Sequence, residues 1–99
     1  MTAIVETGYV PVGAADDVPL LEGRSVTVAG RRIAVFRLAD GWAAVDAACP
    51  HRGGPLQDGI VADWCVTCPL HNRRYDLQGE ELVRHEIVER AGTLLVRLA

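Results

Sequence analysis

Four side chains of two soft-ligand types stand on two short segments, Cys49-Pro50-His51 and Cys68-Pro69-Leu70-His71. Each segment supplies one thiolate and one imidazole, and sixteen residues separate His51 from Cys68. A C-x-H half followed by a C-x-x-H half can hold a zinc ion or a mixed-ligand iron–sulfur cluster. Structural zinc sites more often give each half like ligands, C-x-x-C in one and paired histidines in the other. Here both halves are mixed. That fits a [2Fe–2S] cluster with both cysteines on one iron and both histidines on the other, and a zinc ion stays the alternative.

Charge gives such a cluster its chemistry. Two ferric ions and two sulfides sum to about plus two; four thiolates bring that to about minus two, whereas two thiolates and two neutral imidazoles leave it near zero. An added electron then meets less negative charge. The potential window rises to roughly −150 to +300 mV, against about −400 mV for an all-cysteine plant-type cluster. The segments around the four residues suit this role. Gly53 and Gly54 allow backbone conformations that bring amide N–H groups close to the sulfides, while Pro50, Pro55 and Pro69 stiffen the loops. Donors held in fixed places tune the potential.

The elements that must position these loops are strands. Residues 23–29 and 31–38 alternate polar and apolar around Gly30, and Asp40-Gly41 marks a reversal into Trp42-Ala43-Ala44-Val45-Asp46. Past the first loop, 59–62 and 64–67 flank a turn near Asp63. Residues 85–90 and 93–98 are joined by Ala91-Gly92. One helical turn is predicted over Asp16 to Leu21, with Asp16 or Asp17 as N-cap. The fold class is all-β, a single domain over residues 1–99.

The ligand segments also carry a resemblance. Residues 49–61, then Cys65-Val66-Thr67-Cys68-Pro69-Leu70-His71-Asn72 and Tyr75-Asp76-Leu77, resemble the Rieske proteins, and among them most resemble the small subunit of NAD(P)H-dependent assimilatory nitrite reductase. Some members of that group lack the ligands; this chain has all four. The resemblance implies a small antiparallel β sandwich or barrel with a two-loop cluster-binding subdomain at about 47–77. It implies one [2Fe–2S] cluster per chain, held by Cys49, His51, Cys68 and His71, with Arg52, Gly53, Gly54, Pro55 and Tyr75 around it. Tyr75 matches the tyrosine that donates a hydrogen bond to a ligand cysteine sulfur in high-potential members. The companion serine is replaced by Arg73, which points to the lower part of the potential window, and Asn72 stands where glycine is common. Membrane-anchored members carry an extra cysteine pair bridging the loops; the equivalent positions here are Gly54 and Leu70.

Other residues have plainer readings. Cys65 makes C-x-x-C with Cys68, but strand-like flanks favour a buried, inert cysteine over a redox dithiol. His85, among Glu80, Glu81, Arg84 and Glu86, reads as a solvated strand edge. Trp42 and Trp64 read as core and hairpin-flank residues. All ten basic residues are arginine, and the net charge of −3 argues against nucleic acid. Arg52, Arg73 and Arg74 lie near the histidine ligands and are candidates for docking an acidic partner.

No basic segment followed by an apolar run opens the sequence, and no stretch approaches the ~18 apolar residues of a membrane span. A cytoplasmic protein is the expectation. Ninety-nine residues hold one core but no second catalytic domain, so the chain is expected to act with a redox partner and to catalyse nothing by itself. Two partnerships follow. The first is a nitrite reductase whose large subunit holds sirohaem and flavin; the second is a free ferredoxin between a flavin reductase and a ring-hydroxylating oxygenase. A structural module holding zinc is the third reading.

Overall fold

The computed structural model describes residues 8–50, 53–70 and 72–99. Among these, six antiparallel strands form one sheet: β1 (Val10–Ala14), β2 (Gly23–Val28), β3 (Arg31–Leu38), β4 (Gly41–Asp46), β8 (Arg84–Arg90) and β9 (Thr93–Arg97), in the order β1-β9-β8-β4-β3-β2. Three short strands, β5 (Ile60–Ala62), β6 (Cys65–Thr67) and β7 (Arg74–Asp76), form a second sheet between β4 and β8 in the chain. The outer strands β1 and β2 approach each other across a cavity lined by Val12, Ser25 and Val26, which curls the large sheet towards a barrel.

Two-residue turns set the registers. Ala29-Gly30, Asp63-Trp64 and Ala91-Gly92 each place both residues at positive φ, the geometry whose twist matches antiparallel strands. Trp64 holds φ 59°, an unfavourable conformation for a bulky residue. Its ring packs against the core, and its Nε1–H donates to Asp40 Oδ1 at 3.0 Å.

β3 explains how the small sheet is carried. Its run Ile33-Ala34-Val35-Phe36 is buried on both faces. Ile33 and Val35 face the barrel interior with Ala44, Leu94 and Val96. Ala34, Phe36 and Leu38 face a second core shared with Val61, Val66, Tyr75 and both Cys49 and Cys68. The small sheet and the two loops beside it therefore rest on the outside of the barrel, with Cys49 and Cys68 rooted in that second core.

Several expectations are corrected. The predicted turn at Asp16 to Leu21 is instead a 3-10 turn at Ala15–Asp17, capped by Ala14 without a side-chain hydrogen bond. Pro19 cannot continue a helix, and Leu21, at φ 62°, donates its N–H to Arg37 O at 2.7 Å, tying the chain to β3. β1, β7 and a 3-10 turn at Leu56–Asp58 had no sequence signal. β1 carries Pro11 and a register shift before Gly13, which break alternation as they do on edge strands. His85 is buried rather than solvated: opposite Ala44 on β4, its Nε2 lies 2.8 Å from Asp46 Oδ1 and its Nδ1 accepts from Ala99 N–H at 3.0 Å. A histidine with both ring nitrogens engaged can stand inside a sheet. Cys65 is only half-buried on β6.

Candidate metal centre

Cys49 and Cys68 open their loops with the same backbone pattern. Cys49 N–H donates to Gly54 O (2.8 Å), and Gly53 N–H returns a bond to Cys49 O (2.6 Å). Cys68 N–H donates to Arg73 O (2.7 Å), and Asn72 N–H returns a bond to Cys68 O (3.0 Å). In each loop the residue four after the cysteine turns the chain with a positive φ, 74° at Gly53 and 55° at Asn72. Asparagine tolerates this conformation better than most residues with a side chain, so Asn72 can hold a turn in which glycine is common.

The loops meet closely. A Cβ on Gly54 would lie 2.9 Å from Cys68 Sγ and 3.0 Å from Leu70 Cδ1, so only glycine lets the first loop pass against the second. Gly54 and Leu70 are thus neighbours, and an apolar contact stands where a disulfide would otherwise link the loops. Pro55 pairs with Ala48 in an isolated antiparallel bridge, which ties the end of the first loop back to its start.

Both cysteines are buried, share a core with Tyr75, and no disulfide joins any of the three cysteines. Tyr75, on β7 and buried, places Oη 3.1 Å from Cys49 Sγ. Against a metal-bound thiolate, which has no proton, the phenol O–H must donate. Two buried sulfurs on hydrogen-bonded loops, one facing a phenol, fit a metal–sulfur centre. His51, Arg52 and His71, the other expected members of the site, lie outside the described residues.

The arginines divide. Arg73 is exposed but engaged, with Nη2 3.6 Å from Glu81 Oε2 and Cζ 5.8 Å from the Tyr75 ring centroid. Arg74 stands exposed on β7. Glu81 was not anticipated as part of this neighbourhood; an acidic residue eight positions beyond Arg73 carries no periodic signal. Among the described residues no helix is long and apolar enough to cross a membrane.

Comparison with known proteins agrees with this geometry. The Rieske [2Fe-2S] domain family matches residues 8–87. Cholesterol 7-desaturase nvd 1 of Ciona intestinalis is 46% identical over 59 residues, which are 58% of this chain but 13% of that protein, so the chain spans a small part of the longer relatives. The anthranilate 1,2-dioxygenase ferredoxin subunit of Burkholderia cepacia is 35% identical over 78 residues, 79% of this chain and 72% of that one. The NAD(P)H nitrite reductase of Emericella nidulans is 29% identical over 76 residues, 71% of this chain and 7% of that protein. Among solved structures, the ferredoxin of carbazole 1,9a-dioxygenase from Nocardioides aromaticivorans shares the fold with a TM-score of 0.84 at 22% identity, covering 92% of this chain and 98% of that one. Matched over most of its length, and with two buried cysteines on paired loops beneath a tyrosine donor, the chain belongs to the Rieske [2Fe-2S] domain family.

Proposed function

We propose that this chain is a one-electron carrier whose [2Fe–2S] cluster is held by Cys49 and Cys68 on one iron and by His51 and His71 on the other, and that it delivers electrons to an oxygenase as a ferredoxin component. The cluster, when bound, accepts and releases single electrons. Cys49 and Cys68 would root it in the core and exclude water from its sulfur side. The carrying observation is the matched pair of loops closing on each other at Gly54 and Cys68.

The anthranilate dioxygenase ferredoxin subunit supports the partner, because the likeness covers most of both chains. A second reading keeps a specific support: the nitrite reductase of Emericella nidulans matches the same region, in line with the resemblance of residues 49–77 to its small-subunit relatives. One reconstitution separates them. Holoprotein is added to a flavin reductase with a ring-hydroxylating oxygenase, and in parallel to a sirohaem-containing nitrite reductase large subunit with NAD(P)H. The first reading expects restored oxygenase turnover and no effect on nitrite reduction; the reverse result replaces it with the second.

A further inference from the structure

Arg73 occupies the position at which the resemblance expects a serine donor, and among the described residues its guanidinium lies near Glu81 and Tyr75. Glu81 Oε2 lies 3.6 Å from Nη2, and the face of the Tyr75 ring lies 5.8 Å from Cζ at its centroid. The same Tyr75 places Oη 3.1 Å from Cys49 Sγ. A cation, an aromatic ring and a sulfur thus stand in series, with a carboxylate beside the cation.

We propose that Arg73 is a positioning residue for electron transfer: its cation against the Tyr75 ring polarises the phenol O–H towards Cys49 Sγ and raises the reduction potential of the cluster, and Glu81 limits the effect. A cation near a ring face is attracted by the π electrons and draws density from the ring, which makes the phenol a better donor. A donor to sulfur favours the reduced cluster, which carries one more negative charge, and so raises the potential. Arg73 is about half exposed, so its direct field at the cluster is screened by water. The buried ring is not screened in this way, because Tyr75 is 2% exposed. The replacement of serine by arginine therefore exchanges a direct hydrogen bond for an indirect one. Arg74, one position on, has no such ring beneath it among the described contacts and serves as the charge-matched comparison.

This inference rests on Cys49 as a cluster ligand. Potentials of the holoprotein are measured by voltammetry for wild type, Arg73→Gln, Arg73→Lys, Arg74→Gln, Tyr75→Phe, Glu81→Gln and the double variant Arg73→Gln with Tyr75→Phe, with iron content and the EPR spectrum recorded for each. Arg73→Gln is expected to lower the potential more than Arg74→Gln, with Arg73→Lys between Arg73→Gln and wild type, and Glu81→Gln is expected to raise it. In the Tyr75→Phe background, Arg73→Gln should shift the potential much less. An unchanged potential in Arg73→Gln, an equal shift with and without the Tyr75 hydroxyl, or equal shifts at positions 73 and 74 would overturn the proposal. Should Arg73→Gln fail to take up iron, Glu81→Gln decides, and an unchanged or lowered potential there overturns it. A wild-type protein without the mixed-ligand EPR spectrum would instead overturn the ligand assignment.

Discussion

Gly53 and Asn72 occupy equivalent places in the two ligand loops: each lies four residues after a buried cysteine, returns its N–H to that cysteine's carbonyl, and turns the chain through a positive φ. The equivalence implies that the loops are two copies of one turn, closed face to face, although one carries its histidine two residues after the cysteine and the other three.

The two positions should therefore tolerate substitution in the same way. Asn72→Gly is expected to leave stability and iron content unchanged. Asn72→Val places a β-branched residue in a left-handed conformation at a cost of roughly 1–2 kcal/mol. For a domain of this size that lowers the melting temperature by about 4–8 °C per kcal/mol, which thermal denaturation reads directly.

Gly54 faces a stricter limit, because the obstacle is the other loop rather than its own backbone. Gly54→Ala would drive a Cβ to 2.9 Å from Cys68 Sγ. The expected result is loss of most of the iron from purified protein with the strands intact by circular dichroism. Retention of full iron content would show that the loops can separate at no cost.

Cys65 and Cys68 should behave as unrelated residues despite their C-x-x-C spacing. Cys65 lies in β6 opposite Asp76, half-buried, whereas Cys68 follows the strand and is buried in the core beside the first loop. Cys65→Ser is expected to keep the visible and EPR spectra, while alanine at Cys49, His51, Cys68 or His71 abolishes or alters them. Loss of the cluster in Cys65→Ser would contradict this placement.

His85 is predicted to matter for folding and not for the cluster. Replacing it with leucine removes its hydrogen bonds to Asp46, which keeps Arg31 as a partner, and to the exposed Ala99 N–H, a loss of roughly 0.5–1.5 kcal/mol per hydrogen bond. Denaturant unfolding should record that loss with an unchanged cluster spectrum.

The placement of Cys49 and Cys68 on paired loops and most strand pairs were legible because their signals are local: fixed spacing, alternation and turn residues. What was not legible depends on contacts across the chain. His85 stands among charges in sequence, and only the β4–β8 pairing buries it against Asp46. The place of Asn72 in the second loop shows only in the backbone hydrogen bond it returns to Cys68, and that of Arg73 only in its contact with the Tyr75 ring. β1 was hidden by Pro11 and Gly13, whose place is permitted by an edge and not by alternation.

Metal and sulfide analysis of anaerobically purified protein, combined with EPR of the dithionite-reduced sample, tests the central claim most directly. The account predicts two irons and two labile sulfides per chain with the spectrum of a mixed cysteine–histidine cluster. Stoichiometric zinc without iron, or the spectrum of an all-cysteine cluster, would contradict it.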